Sequence, residues 1–226
     1  MPVTQQHLVT HSGSHPGCPI ERDLFQRIAD GIAQQGYVIL PTALPETVCE
    51  SLLDYLAKLQ QQDFHHAAIG RSQDQARNRF VRRGKICWIR EEHPGSRTWL
   101  AWADRLRAFL NQRLFLGLFS FESHFSFYEC GDFYRRHLDA FRGESNRVLS
   151  LVTYLNKGWH PDQGGELVLY PPESESIKVI PAFGTVVVFL SEEIPHEVLP
   201  TQRERFAVSG WFRINGSAGA NLDPPR

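Results

Sequence analysis

A chain of 226 residues, 42% hydrophobic and 22% charged, carries enough apolar material for one sizeable core and suits a single domain. Its formal charge of -1 gives no basic field for tracking a phosphate backbone, so nucleic acid is not expected as a partner. No apolar run approaches the roughly 20 residues of a membrane span, and the N-terminal M-P-V-T-Q-Q-H lacks the basic and apolar regions of a signal peptide; no membrane partner and a cytoplasmic location are expected.

Residues 1–19 mix His, Ser, Gly, Thr and Pro without apolar periodicity and are expected to form a flexible tail. His7, His11 and His15 are spaced by four, but Gly13, Pro16 and Gly17 break the helix that would align them. From Glu21 to Gly36 the recurrence of Leu24, Ile28 and Ile32 predicts an amphipathic helix. Tyr37–Pro41 reads as a strand, and Pro45 opens a second helix whose face is Val48, Leu52, Tyr55, Leu56 and Leu59. Asp63–Gly84 is polar and basic, with Arg71, Arg77, Arg79, Arg82 and Arg83; its length inside a compact domain suits a flap over a polypeptide substrate. Ile86–Ile89 returns to strand character, and Thr98–Leu114 reads as a third helix. Cys18, Cys49, Cys87 and Cys130 show no C-x-x-C spacing, as reduced thiols without a catalytic role would.

From Leu118 onward the chain reads as almost wholly β. Phe119, Phe121, Ser123, Phe125 and Phe127 alternate with more polar neighbours, and seven further strands follow: 133–139, 147–156, 166–170, 177–180, 185–190, 196–200 and 205–214. Many short strands punctuated by Gly and Pro, after a helical first half, predict a mostly β fold with α-helices, an α+β double-stranded β-helix (jelly-roll) core with the N-terminal helices packed on one sheet. The expected single catalytic domain spans 20–216, with helical support and the substrate loop over 20–117, the core over 118–216 and a C-terminal tail over 217–226.

Inside the β-rich half, Y-R-R-H-L-D (residues 134–139) places His137 and Asp139 at i and i+2, on one face if the segment is extended. A second imidazole from another strand would complete a 2-His-1-carboxylate set, the arrangement that holds Fe(II) with open positions, and His196 is the candidate. Nine residues beyond it, Arg205 begins R-F-A-V-S-G-W-F and shares a face with Ala207, Ser209 and Trp211. A guanidinium directed into an apolar barrel needs an anion, and a ligand carboxylate gripped by Arg205 and Ser209, with Tyr128 adding a phenol, suits it better than Glu166 or Glu197. His124 and His160 lack such partners and read as structural or exposed.

The chain also resembles a family, the Fe(II)- and 2-oxoglutarate-dependent oxygenases, and within it the prolyl-hydroxylase-domain proteins of the oxygen-sensing type. The resemblance spans about Gly36 to Ile214. It is carried by K-I-C-W-I (Lys85–Ile89), Y-x8-H-x-D (Tyr128 to Asp139), Y-L-N-K-x-W (Tyr154 to Trp159), G-G-E-L (Gly164–Leu167), P-H-E-V-x-P from Pro195 and R-F-A-V-S-G-W ending at Trp211. It implies that His137, Asp139 and His196 are the catalytic metal ligands and that Arg205, Ser209, Tyr128, Tyr154 and Leu167 hold 2-oxoglutarate. Arg147, Trp211, Arg82 and Arg83 would face the substrate, with residues 63–85 covering it. The implied cofactors are Fe(II), 2-oxoglutarate and O2, with ascorbate as reductant. The implied reaction is 4-hydroxylation of a prolyl residue with release of succinate and CO2. Asp139 also points to hydroxylation, because halogenating members keep that position small.

Two departures stand out. Gly84 replaces an acidic residue of the animal members, removing a salt-bridge partner for Arg147, and Ser209 replaces threonine. Small size without extra domains is similar to bacterial members that act on elongation factor Tu, which makes a protein with an exposed prolyl loop, elongation factor Tu itself, the expected partner. The rival readings are a 2-oxoglutarate oxygenase acting on a small molecule or on nucleic acid, a cupin-type or zinc enzyme, and a non-enzymatic jelly-roll binding module. An AlkB-like demethylase would carry a second arginine where Trp211 stands, and neither a cupin-type nor a zinc enzyme explains Arg205.

Overall fold

A computed structural model describes residues 19–66, 81–140 and 146–215. The expected N-terminal tail up to residue 18, residues 67–80 of the basic loop and the C-terminal tail lie outside the described residues. Among the described residues three α-helices precede the core: α1 (Pro19–Gln35), α2 (Glu46–Leu56) and α3 (Arg97–Leu114). Pro19, expected in the tail, instead opens α1, a first-turn position where its missing N–H costs nothing.

The strands are β1 (Tyr37–Leu40), β2 (His65–His66), β3 (Lys85–Trp88), β4 (Ser120–Tyr128), β5 (Tyr134–His137) and β6 (Arg147–Tyr154). They continue with β7 (Leu167–Leu169), β8 (Ile177–Val179), β9 (Val186–Leu190), β10 (His196–Val198) and β11 (Arg205–Arg213). The major sheet runs β1-β9-β6-β11-β4-β3-β2 and the minor sheet β5-β10-β7-β8, a jelly-roll sandwich with the helices against the major sheet. The expected flap is strand in part, since β2 pairs with β3 through His65 opposite Ile86.

Alternation along the strands sorts the side chains into two cores. Leu149 and Leu151 of β6, Val186 and Val188 of β9 and Val208 and Phe212 of β11 pack on the helices. Val152, Tyr154, Val187, Phe189 and Ala207 point the other way, between the sheets. The aromatic face expected on β4 is the helix side: Phe121 meets Trp99 and Phe125 meets Tyr55 edge-on. Trp99 and Trp102 of α3 stack with centroids 5.5 Å apart, and the Trp99 indole N–H donates to Ser123 Oγ at 3.0 Å. Leu106 is fully buried in this layer. A Leu106→Ala substitution is expected to lower unfolding free energy by about 2–5 kcal/mol, read from the urea midpoint at unchanged m-value.

Candidate active site

β5 and β10 are antiparallel neighbours with His137 directly opposite His196, so the minor sheet brings the two imidazoles together across one rung. Each ring is oriented the same way: Nδ1 donates to the carbonyl oxygen two residues earlier, Arg135 O at 2.8 Å for His137 and Ile194 O at 3.2 Å for His196. Nε2 of each ring is thereby the free lone pair, the usual arrangement of a metal-ligating histidine. Asp139 does not lie within the strand as expected; β5 ends at His137 and the chain bends. Its carboxylate still reaches the same point, with Oδ1 3.5 Å from His137 Nε2 and Oδ2 3.6 Å from His196 Nε2. Ligand atoms of the three residues all lie within 4.8 Å of one another.

Burial works to raise the Asp139 carboxyl, but the His196 ring, the hydrogen bond and charge of His137 and the Ser150 hydroxyl together hold it well below the usual carboxylate range. Ser150 Oγ donates to Asp139 Oδ2 at 2.6 Å and is itself 2.9 Å from Ser191 Oγ. Burial pushes His196 down to about 4, against the pull of Asp139. A neutral His196 imidazole beside the Asp139 carboxylate results, which suits binding of a divalent ion. Tyr134 stacks on His137 with centroids 3.6 Å apart, fixing the ring from the cavity side.

A cavity of about 330 Å³ opens from this cluster, large enough for a small dicarboxylate and an entering side chain. Arg205 lies in its wall at 1% exposure, with Nε donating to Gly165 O at 2.8 Å. Its guanidinium sits 5.1 Å from the ring centroids of both Tyr128 and Tyr154, and no carboxylate of the described residues forms an ion pair with it. Gly165 is needed at positive φ (71°), and a Cβ there would meet Arg205 Cδ and Thr201 Cβ at 3.1 Å, so G-G-E-L leaves the guanidinium its space.

Tyr128, Leu167 and Ser209 also line the cavity; Tyr154 does not, being fully buried behind Arg205 with a hydroxyl that has no hydrogen-bond partner. Of the residues expected to face the substrate, Arg82, Arg147 and Trp211 line the cavity. Arg83 does not; its guanidinium lies over the Phe133 ring, 5.3 Å from the centroid. Five buried side-chain polar atoms lack partners among the described residues, and three of them, Arg82 Nε, Tyr154 OH and Trp211 Nε1, border this site, which therefore has polar capacity for a ligand.

The Arg147 partner is one that sequence reading missed. Glu122 Oε1 accepts from Arg147 Nε at 3.1 Å and Nη2 at 2.8 Å, and its Oε2 accepts from Arg213 at 3.3 Å. Arg147 lies 3.8 Å over Trp211, whose register partner on β4 is Glu122, so the acid holds the cation over the indole. Position 84 has no room for an acidic side chain, since a Cβ on Gly84 would come within 2.8 Å of the Tyr128 ring. His124, expected to be structural or exposed, is buried in the cavity wall between Trp88 and Trp211.

Burial and the nearby Arg82 push His124 from its ordinary value of 6.5 down to about 3. Its folded-state value is depressed, so the unfolded chain binds the extra proton first and stability falls as pH drops below about 6.5. The metal-free protein is expected to lose urea resistance between about pH 7 and pH 5, and a His124→Phe variant to lose less.

Comparison with known proteins decides the family. The model of the 2OG-Fe(II) oxygenase superfamily matches residues 123–213. A prolyl-4-hydroxylase of Pseudomonas putida superposes with a TM-score of 0.76 at 38% identity, covering 85% of this chain and 100% of that one. The chain belongs to the 2OG-Fe(II) oxygenase superfamily. It is a prolyl hydroxylase-type oxygenase, and its cofactors are Fe(II), 2-oxoglutarate and O2. Prolyl hydroxylase EGLN3 of Mus musculus is 26% identical over 205 residues, 85% of this chain and 84% of its own. A prolyl hydroxylase of Trichoplax adhaerens, solved with a hypoxia inducible factor oxygen degradation domain peptide, superposes with a TM-score of 0.75 at 27% identity and covers 86% of this chain and 90% of that one. The jelly roll expected from strand spacing is therefore the oxygenase's fold. No described helix is long and apolar enough to cross a membrane.

Proposed function

We propose that this oxygenase hydroxylates a prolyl residue of a protein substrate at the 4-position, with release of succinate and CO2, and that the substrate is elongation factor Tu in the cytoplasm. His137, Asp139 and His196 hold Fe(II). Arg205 and Ser209 take the distal carboxylate of 2-oxoglutarate, with Tyr128, Leu167 and, from behind, Tyr154 closing around it. When bound, Fe(II), 2-oxoglutarate and O2 together supply the oxidant. The chain's own residues bind, orient and exclude water.

The observation that carries this reading is a cavity with a His-Asp-His cluster and a buried guanidinium in one wall system, opening beside Trp211, Trp88 and Arg147. Aromatic faces suit the C–H-rich pyrrolidine ring, and Arg147, lying over the Trp211 indole in the cavity wall, would face the polypeptide beside it. Arg82, lying 4.7 Å over Tyr134 with a buried Nε that has no partner, serves the same rim, and Arg83 acts farther out. The peptide bound by the Trichoplax adhaerens relative supports a polypeptide substrate, and elongation factor Tu is the target that the sequence resemblance to bacterial members implies.

The test is purified elongation factor Tu incubated with the enzyme, Fe(II), 2-oxoglutarate and ascorbate, followed by peptide mapping. One prolyl peptide is expected to gain one oxygen atom, at C4 by amino-acid analysis. An unmodified factor, while other proteins of the extract gain oxygen on proline, would overturn the target and leave the reaction class standing.

A further inference from the structure

Ser209, whose hydroxyl meets the 2-oxoglutarate carboxylate in the function proposed for this site, is the outer end of a buried chain of polar groups. On β4, His124 and Ser126 occupy one face at i and i+2. The register with β11 sets Ser209 directly opposite His124, and Ser126 opposite Ala207, whose small side chain leaves the diagonal open. Ser209 Oγ lies 3.2 Å from Ser126 Oγ, and Ser126 Oγ lies 3.2 Å from His124 Nδ1. His124 Nδ1 also lies 3.2 Å from the Phe125 carbonyl oxygen. All three side chains sit in the major sheet beside the cavity, with His124 and Ser126 each 2% exposed.

The direction of this chain follows from its acceptor-only end. A carbonyl oxygen cannot donate, so Nδ1 must carry the proton; a bare Nδ1 would set its lone pair against that of Phe125 O. With Nδ1 as donor, Ser126 Oγ is its second acceptor, and the Ser126 O–H is left to donate to Ser209 Oγ. Ser209 then accepts inside the wall and keeps its own O–H for the cavity. Reversal of any bond in the series would turn the Ser209 proton inward and present a lone pair to the cavity, which repels a carboxylate.

We propose that His124 is a positioning residue for the cosubstrate: through Ser126 it fixes the Ser209 hydroxyl as a hydrogen-bond donor aimed at the distal carboxylate of 2-oxoglutarate. This rests on the reading that Ser209 meets that carboxylate. Burial between two tryptophans and the nearby Arg82 keep the imidazole neutral, and the Phe125 carbonyl oxygen then selects the tautomer with its proton on Nδ1. Its other nitrogen takes no part, so an asparagine, whose amide N–H2 reaches the place of Nδ1, preserves the relay, and a phenylalanine fills the same space without a donor.

The experiment is calorimetric titration of 2-oxoglutarate into the Fe(II)-loaded full chain with oxygen excluded, alongside 2-oxobutyrate, which has the oxoacid end and lacks the distal carboxylate. Ser209→Ala is expected to weaken 2-oxoglutarate about tenfold, and Ser126→Ala and His124→Phe about fivefold each. His124→Asn is expected to stay within about twofold of wild type, and the Ser126→Ala/Ser209→Ala double variant to be no weaker than Ser209→Ala alone. Affinity for 2-oxobutyrate is expected to be the same in all. Ser126→Ala removes one oxygen atom from a buried site and keeps the relay testable where the His124 variants fold poorly. Wild-type 2-oxoglutarate affinity in Ser126→Ala and His124→Phe, with Ser209→Ala weakened, would overturn the relay alone. Wild-type affinity in Ser209→Ala would overturn both the relay and the carboxylate assignment beneath it, and equal weakening of both ligands would overturn the relay by showing a general disturbance instead.

Discussion

An Asp139→Ala variant is expected to lose turnover by at least about 10³-fold, because in the proposed ligand set the metal would lose its one anionic ligand and several kcal/mol of charge stabilisation with it. The fold should survive the change. Asp139 sits just past the end of β5, where no ladder bond depends on it, and Ser150 keeps Ser191 as a partner when the carboxylate is gone. Two imidazoles would remain, each pinned through Nδ1 to a carbonyl, so weak metal binding should persist while the geometry for catalysis does not. Titration with Co(II), read from its visible bands, and succinate release under saturating Fe(II) check the two parts separately. Turnover within about tenfold of wild type would remove Asp139 from the ligand set.

The second large effect is expected at Arg205. Lysine there keeps the charge but loses the planar fork, and it cannot donate from an Nε to Gly165 O while presenting two further N–H groups to a carboxylate. With one or more charge-assisted hydrogen bonds missing, the 2-oxoglutarate Kd should rise about 10–100-fold. Co(II) affinity is expected to stay unchanged, because Arg205 touches none of the three ligands. Because the Arg205 side chain is almost fully buried, added salt should not reproduce this loss, as it would for a surface cation. A Kd within about twofold of wild type would mean that another group carries the carboxylate.

The residues legible in the sequence are those whose meaning survives without coordinates. His137, Asp139 and His196 are polar residues in order within a β-rich stretch, and a buried arginine in R-F-A-V-S-G-W requires an anion whatever the packing. Strand alternation likewise separates the helix-facing aromatic side of β4 from its cavity side before any register is known. What stays hidden depends on register. Glu122 reads as one more surface acid until β4 and β11 pair and set it opposite Trp211, where it grips Arg147. Ser150 looks like an ordinary serine in an apolar strand until the chain bends after β5 and delivers Asp139 to it. The bend itself leaves no trace in the pattern, because alternation alone puts Asp139 on the strand face.

Gly84 shows the converse error. Its missing side chain suggests a lost partner for Arg147, whereas the Tyr128 ring occupies the space a side chain would need. Nothing in the sequence pattern around His124 marks a partner, and in the fold its Nδ1 meets the Ser126 hydroxyl and the Phe125 carbonyl while its ring lies between two tryptophans. Arg83 belongs with Arg82 only by adjacency. Neighbouring residues of an extended segment point to opposite sides, and only Arg82 reaches the cavity.

The most direct measurement is mass spectrometry of cell extract incubated with the enzyme, Fe(II), 2-oxoglutarate and ascorbate, with the Asp139→Ala variant beside it. A gain of one oxygen atom on proline in a polypeptide, dependent on 2-oxoglutarate and absent with the variant, is the expected result. Oxygen gained instead by a free amino acid, another small molecule or a nucleobase, with every prolyl peptide unchanged, would contradict prolyl hydroxylation by this site.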